Sequence, residues 1–293
     1  MTNQVINPTI IGVVLKEAIF RVINMLETNR LNYETHTKSA YDGEGVDPFT
    51  DLDKKAQDIV TKLLIECFPD FGIISEEENY RYKPEAPIYF TIDPIDGTSA
   101  FIRNQSNNVG CMIALIDNGK VVASFIGDIN TKEIYYFKPE SDKVWRIKNQ
   151  FLSWKEDLAK KTESFVAEKP ISKSVVYSQT RESKLETELI NVSSLYKNFA
   201  IDKGSIGIIF TRLFKGEYSA IILDKYFETP WDTNPIIGMC QKLGYVFLKF
   251  DPDQKIWVEY NPTISKEIYN RDFDAIVIHS SKMSELNLLL QSL

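Results

Sequence analysis

The chain has 293 residues, 43% of them hydrophobic, and a formal net charge of −7. This length is enough for one large domain or two lobes with a sizeable core, and the negative charge argues against a general surface for a nucleic acid polymer. No apolar run is as long as a membrane span, the start lacks a basic secretory signal, and three scattered cysteines do not fit a disulfide framework or a zinc site, so we expect a cytoplasmic protein that contacts no membrane.

Hydrophobic spacing predicts two helices near the N-terminus. The first covers 10–26, and the second begins after Thr50 or Asp51, either of which can cap it. Between them, 29–48 is polar and contains glycine, so we expect a mobile loop. The second helix places Asp53 in its first turn, where the carboxylate can face a cleft. Its predicted buried residues are Ala56, Ile59, Val60, Leu63, Leu64 and Cys67, and Cys240 is predicted to be buried on a later helix.

The most informative segment is a short apolar run that ends in two carboxylates. Residues 88–92 predict a buried strand, and Asp93 and Asp96 lie three residues apart where it ends. Between the acids a proline removes a backbone donor, after them Gly97 lets the main chain approach a ligand, and Thr98 offers a hydroxyl where a helix could begin. This corner suits Mg²⁺ beside a phosphate, although a turn with an Asx cap is an alternative.

The rest of the pattern predicts an antiparallel meander followed by alternating strands and helices. Predicted strands lie at 110–116, 121–126, 133–137, 143–147, 174–177, 218–223, 246–250 and 274–278, and predicted helices at 182–196, 232–243 and from Ser280 onward. We expect 1–150 to form an N-terminal metal-binding lobe with the antiparallel sheet and 151–293 to form a C-terminal α/β lobe. The poorly patterned 149–170 would connect them within one compact two-lobed unit.

Carboxylates occur at four predicted element boundaries. The four groups are Asp53, the acids at 76–78, the pair at 93 and 96, and Asp232. The acids at 76–78 follow a short apolar segment, and Asp232 follows a tryptophan. A polynuclear metal site explains these positions, because cations offset the repulsion between carboxylates. Glu78 is better interpreted as part of a solvated face. An aspartyl-phosphate hydrolase would place its second aspartate two residues after the first, and here the spacing is three.

Four ordered motifs resemble those of the inositol monophosphatase family, which belongs to the lithium-sensitive, metal-dependent phosphatase superfamily. They are the segment 49–53 (Phe-Thr-Asp-Leu-Asp), Glu76-Glu77, the segment 93–98 and Trp231-Asp232. The resemblance implies an α/β (α+β) fold, a layered α-β-α-β-α sandwich like that of the sugar phosphatases. It also implies hydrolysis of a small phosphorylated substrate, an inositol phosphate or related sugar phosphate, together with inhibition by lithium and a homodimeric state.

The same resemblance implies roles for individual residues and two or three Mg²⁺ ions as cofactors. Glu76, Asp93 and the backbone carbonyl of Ile95 would hold one ion, Asp93, Asp96 and Asp232 a second, and a weaker third would lie near Glu76. Asp53, Thr98 and Glu76 would be catalytic, with Asp53 and Thr98 orienting and deprotonating the nucleophilic water. Substrate would be bound by Asp96, Asp232, the backbone amides of Gly97 and Thr98, and the turn Gly204-Ser205. Lys225 is a further candidate for substrate binding, although it could also be a solvated loop residue.

One departure from the family pattern leaves the substrate open. Inositol-specific members carry a glutamate about seven residues before the Trp-Asp aspartate, and here that position is Lys225, with Glu228 nearby. Lys38 is a candidate for a lysine that the family often places upstream of its first acidic motif. A cation beside the leaving group would suit a 3′(2′),5′-bisphosphonucleotide or a sugar bisphosphate, which are the alternative substrates. A metal-binding scaffold without turnover is the alternative of another class.

Overall fold

The computed structural model describes residues 6–41, 43, 45–148, 151–160, 175–178, 198–201 and 203–291. Helix α1 spans Pro8–Thr28 and α2 spans Asp51–Cys67. Asn7 accepts hydrogen bonds from the first turn of α1, and Thr50 caps α2 as predicted, so each helix begins where a side-chain oxygen satisfies amides that have no partner within the helix. Both predicted helices are confirmed.

The predicted loop at 29–48 is instead mostly a hairpin. Strand β1 (Thr35–Ser39) pairs antiparallel with β2 (Val46–Thr50), from Thr35 opposite Thr50 to Ser39 opposite Val46. Every β1 side chain except Lys38 is exposed, so the strand shows no alternation of apolar and polar residues. Without that alternation a strand resembles a loop in sequence, which explains the wrong prediction.

An eight-stranded sheet follows. Its strands are β3 (Gly72–Ser75), β4 (Arg81–Tyr82), β5 (Ile88–Asp96), β6 (Gly110–Asp117), β7 (Lys120–Asp128), β8 (Glu133–Phe137), β9 (Trp145–Lys148) and β10 (Phe151–Asp157). The order is β10-β9-β8-β7-β6-β5-β3-β4, with only the β3–β5 pair parallel. Short helices lie at Glu77–Asn79 and, as α3, at Thr98–Ile102. Strand β10 corrects the prediction that 149–170 is only a connection, because this segment extends the sheet through pairing with β9.

A six-stranded sheet is built from later residues. It contains β11 (Val175–Ser178), β12 (Asn198–Ile201), β13 (Ala220–Leu223), β15 (Tyr245–Asp251), β16 (Ile256–Tyr260) and β18 (Ala275–His279), in the order β12-β11-β13-β18-β15-β16. Strands β14 (Tyr226–Glu228) and β17 (Tyr269–Arg271) form a separate pair. The helices are α4 (Ile206–Phe214), α5 (Pro230–Leu243) and α6 (Met283–Gln291), the last preceded by a 3₁₀ turn at Ser280–Lys282. Helix α4 was not predicted from the sequence, and the helix predicted at 182–196 lies outside the described residues.

Three hydrophobic clusters hold the layers together. The first packs α1 and α2 on one face of the eight-stranded sheet, and the second fills the space between its other face, α4, α5 and the six-stranded sheet. The third lies between that sheet and α6. The predicted α-β-α-β-α sandwich is therefore confirmed. Cys240 is buried as predicted, whereas Cys67 is exposed because it ends α2 beyond the packed face. None of the helices in the described ranges has the length and apolar character needed to cross a membrane.

Candidate active site

A bulge in β5 turns two aspartates toward the same side of the sheet. Residues three apart in a regular strand face opposite sides. Here the pairing with β6 shifts, so that Asp93 lies opposite Met112 and Asp96 opposite Gly110, only two residues away. The extra residue on β5 is the signature of a β-bulge, which re-aims side chains at functional sites. Both carboxylates consequently reach one cleft.

A third carboxylate comes from the first turn of α5. Pro230 occupies the start of this helix, and the Thr229 hydroxyl donates a hydrogen bond to Asp232 Oδ2 at 2.5 Å. Asp93, Asp96 and Asp232 each offer a carboxylate oxygen, and these oxygens lie within 4.8 Å of one another. The cluster thus joins the eight-stranded sheet to a helix of the central layer.

Burial and mutual repulsion raise the pKa values of these three carboxyl groups. The pKa of Asp93 lies well above its ordinary value because of burial and the charges of Glu76, Asp232 and Asp96. Burial and the charge of Asp232 raise the pKa of Asp96 to about 8, and burial and the charge of Glu76 raise the pKa of Asp232 to about 6. A cation among the three groups would offset both causes.

The donor atoms fit a hard divalent cation. Asp93 Oδ1 and Asp232 Oδ1 are buried, and neither accepts a hydrogen bond from any residue in the described part of the chain. Leaving a buried acceptor without a partner costs about 1–3 kcal/mol, and more when the group is charged. Carboxylate and carbonyl oxygens are the ligands that Mg²⁺ takes in proteins. Ile95 lines the same cleft, and its carbonyl oxygen lies 3.0 Å from the Thr98 hydroxyl, so the residues of the predicted set line one cleft.

Asp53 and Thr98 form a hydrogen-bonded pair next to this cluster. The Thr98 hydroxyl lies 2.9 Å from Asp53 Oδ1 and 3.0 Å from the Ile95 carbonyl oxygen, and its single hydrogen serves one of them at a time. The backbone amide and the hydroxyl of Thr50 both donate to Asp53 Oδ2 at 2.7 Å. Burial raises the pKa of Asp53 to about 6 even though these hydrogen bonds lower it.

The β1–β2 hairpin brings a lysine onto the paired glutamates. Lys38 Nζ donates to Glu76 Oε1 at 2.8 Å and to Glu77 Oε1 at 3.1 Å. Burial lowers the pKa of Lys38, but the two glutamate charges outweigh it and the net shift is upward. Burial and the charge of Glu76 raise the pKa of Glu77 to about 7. Lys38 therefore neutralises part of the acidic site, and the lysine suspected from the sequence does lie there.

The cleft has a volume of about 640 Å³. Of the site residues predicted from the sequence, those that line it are Glu76, Asp93, Ile95, Asp96, Gly97, Thr98, Gly204, Lys225 and Asp232. Asp53 and Ser205 lie behind the wall: Asp53 reaches the cleft through Thr98, and Ser205 contacts Asp96. The structure therefore does not bring the Ser205 side chain to where a substrate would bind.

A buried arginine that the sequence analysis missed supports the far wall of the cleft. Arg271 Nε donates to Glu228 Oε1 at 2.6 Å, and its other nitrogens donate to the carbonyls of Leu223, Asp224 and Phe273. Glu228 Oε2 in turn accepts from the Thr233 hydroxyl at 2.9 Å. Because Arg271 lies on a short strand outside any motif, no pattern in the sequence marked it.

The chain is similar in sequence to several known proteins. The sequence model described as "Inositol monophosphatase family" matches residues 9–284. The chain is 30% identical over 118 residues to a Nus factor SuhB of Xylella fastidiosa. This aligned segment covers 40% of this chain and 38% of that protein. It is 29% identical over 110 residues to a 3′(2′),5′-bisphosphate nucleotidase CysQ of Haemophilus influenzae, covering 34% of this chain and 40% of that protein.

The fold is shared with solved structures along almost the whole chain. A crystal structure of an IMPase/NADP phosphatase complexed with Mg²⁺ and phosphate matches with a TM-score of 0.70 at 16% identity, over 97% of this chain and 95% of that chain. By sequence, however, the aligned segments span only about two fifths of the length of the two curated relatives.

Proposed function

The chain belongs to the inositol monophosphatase family, and we propose that it hydrolyses a small phosphate monoester with the help of divalent metal ions, Mg²⁺ being the expected ion. The observation that carries this proposal is the cluster of Asp93, Asp96 and Asp232, whose oxygens lie within 4.8 Å of one another and include two buried acceptors without a partner among the described residues. The solved relative that holds Mg²⁺ and phosphate supports the same choice of ion.

The metal-binding set comprises two groups of oxygens. Asp93, Asp96 and Asp232 would hold one ion, and Glu76, Asp93 and the Ile95 carbonyl another, with a third weaker ion near Glu76. When bound, the metal polarises the phosphoryl group and lowers the pKa of a coordinated water. One carboxylate oxygen of Glu76 already accepts a hydrogen bond from Lys38. When a cation binds, Lys38 would therefore either release this carboxylate or share it with the cation.

Asp53 and Thr98 would handle the proton of the attacking water. When Thr98 donates to Asp53 Oδ1, the lone pairs of its hydroxyl oxygen stay available to accept a hydrogen bond from water. A carboxylate whose pKa is raised toward neutrality, as that of Asp53 is by burial, is better matched to general-base work than an ordinary aspartate. The pair would thus orient the water and withdraw its proton.

Gly97 would let the phosphate approach the backbone. Its φ is +89°, and a Cβ there would lie 2.5 Å from both the Asn108 carbonyl oxygen and the Ser205 nitrogen, so only glycine fits. The amides of Gly97 and Thr98 begin α3, where oriented N–H groups favour an anion. The phosphate would therefore lie between these amides and the acidic cluster, on the side of Thr98.

An inositol phosphate or related sugar phosphate is the leading substrate class, and a 3′(2′),5′-bisphosphonucleotide or sugar bisphosphate is the alternative. The alternative is supported by Lys225, which lines the cleft, and by the similarity to CysQ. An ammonium group holds an anion but accepts no hydrogen bond from a sugar hydroxyl. The positive charge of Lys225 at this wall of the cleft would thus favour bisphosphorylated substrates over inositol phosphates.

Lys225→Glu tests that selection. A charge-assisted hydrogen bond contributes about 1.5–3 kcal/mol, so we expect kcat/KM for a bisphosphorylated substrate to fall on the order of 10-fold to 100-fold relative to that for inositol 1-phosphate. Lys120→Glu is the matched control, because it makes the same change in net charge at a residue that does not line the cleft. An unchanged ranking of substrates in Lys225→Glu would remove Lys225 from the substrate site.

The activity itself is tested by measuring phosphate release from a panel of monoesters in the presence of Mg²⁺. The panel holds inositol 1-phosphate, a sugar-alcohol phosphate, a sugar bisphosphate and a 3′,5′-bisphosphonucleotide. We expect release from at least one of them, and release slower by about 10³-fold or more by the Asp93→Asn variant. Metal binding without release from any member would favour the non-catalytic scaffold.

A further inference from the structure

Asp96 is held by three donors that all come from the start of α4. The Ser205 hydroxyl donates to Asp96 Oδ2, the Gly207 amide donates to the same oxygen at 2.7 Å, and the Ile206 amide donates to Oδ1 at 3.0 Å. Asp96 belongs to the eight-stranded sheet, whereas α4 follows β12 of the six-stranded sheet. The carboxylate is thus oriented by a helix of the central layer that lies about 110 residues later in the chain.

The direction of the Ser205 hydrogen is fixed by its neighbours. The Ile208 amide donates to Ser205 Oγ at 2.9 Å, so the serine oxygen acts as the helix cap and keeps its own hydrogen for Asp96. All three groups therefore donate, and Asp96 must accept from each. A carboxylate has about four acceptor positions, so one remains, on Oδ1.

Close backbone packing makes this arrangement specific. A Cβ on Gly207 would lie 2.4 Å from Met112 Sδ and 3.0 Å from Asp96 Oδ2, and a Cβ on Gly110 would lie 2.9 Å from Ser205 Oγ. The Ser205 amide also donates to the Asn108 carbonyl oxygen at 2.8 Å. Ser205 is fully buried, so these close contacts hold the serine hydroxyl in place against Asp96.

We propose that Ser205, together with the amides of Ile206 and Gly207, is the positioning group that aims the one remaining acceptor of Asp96 at the metal. This inference rests on the proposed function and replaces the substrate contact that the sequence analysis assigned to Ser205. Groups that hydrogen-bond a metal ligand orient it, and their loss typically lowers metal affinity about 10-fold to 100-fold. Ser205 would act on metal binding without touching the metal or the substrate.

Calorimetric titration of the wild type and its variants with MgCl₂ alone tests this proposal. We expect Ser205→Ala to weaken Mg²⁺ binding about 10-fold or more. Ser205→Gly deletes the same hydroxyl, but glycine is a tolerated cap that costs only a few tenths of a kcal/mol relative to serine, so it answers the question if the alanine variant does not fold. Both variants should also need more Mg²⁺ for half-maximal activity, while KM for the phosphate substrate at saturating Mg²⁺ changes little.

Thr211→Val is the matched control. Thr211 is a fully buried residue of the same helix whose hydroxyl donates to the Ile208 carbonyl and does not contact Asp96. We expect its Mg²⁺ affinity to equal that of the wild type. If Ser205→Gly or Ser205→Ala bound Mg²⁺ with wild-type affinity, this inference would be wrong while the proposed function would stand. A wild type that takes up no Mg²⁺ would overturn the proposed function and this inference with it.

Discussion

Asp93→Asn is expected to lower turnover about 10³-fold or more, the largest effect of any single substitution in the chain. Asparagine keeps the shape of the side chain but removes the charge that two metal sites would share. Metal ions contribute several kcal/mol of transition-state charge stabilisation, and each 1.36 kcal/mol is tenfold in rate. The measurement is kcat at saturating Mg²⁺, together with Mg²⁺ affinity by calorimetry, which should fall in parallel.

The same substitution should leave the metal-free protein as stable as the wild type or make it more stable. Burial and three neighbouring carboxylates raise the pKa of Asp93, so its charged form is unfavourable in the fold and its removal relieves repulsion. Asp128→Asn is the control: Asp128 is a buried aspartate of the same sheet that accepts from the Asn130 and Thr131 amides and does not line the cleft. If Asp93→Asn kept the activity of the Asp128 control, Asp93 would not be a metal ligand.

Thr98→Ala is expected to slow kcat while Mg²⁺ affinity stays near that of the wild type. The substitution removes the hydroxyl that lies 2.9 Å from Asp53 Oδ1 and leaves the carboxylate ligands unchanged. Loss of a positioned general-base relay typically lowers the rate about 10²–10⁴-fold. Single-turnover rates at saturating Mg²⁺ measure the effect on the chemical step.

Thr98→Ser keeps the hydroxyl and is expected to recover most of the rate. Full activity in Thr98→Ala would show that neither Thr98 nor, through it, Asp53 orients the water. A loss of Mg²⁺ affinity equal to the loss of rate would instead place Thr98 among the groups that hold the metal.

Local motifs in the sequence were enough to indicate the family and the acidic cluster, and the resemblance to that family implied the layered fold. The strand at 88–92 is fully buried and apolar apart from Thr91, and α1 shows apolar residues at helical spacing. Thr50 marks the start of α2. Such signals do not depend on distant parts of the chain, so the pattern alone identifies them.

Features that depend on distant contacts were not predictable in this way. Strand β1 has little buried surface, and its hairpin is defined by pairing with β2. Arg271 donates hydrogen bonds to the carbonyls of Leu223, Asp224 and Phe273, which come together only in the fold. Ser205 donates to Asp96, which lies 109 residues earlier in the chain. Sequence spacing does not reveal such long-range contacts. The lobe boundary at 150, the homodimer, the cytoplasmic location and the sensitivity to lithium stay predictions.

The most direct test of the central claim is phosphate release by the wild-type protein before and after chelation. An acidic cluster without cations repels a phosphate, so we expect no turnover of a good substrate in excess EDTA and full recovery when Mg²⁺ is added beyond the chelator. The purified protein, one substrate and continuous detection of phosphate are sufficient. Hydrolysis at the full rate in excess chelator would contradict the proposed metal-dependent mechanism.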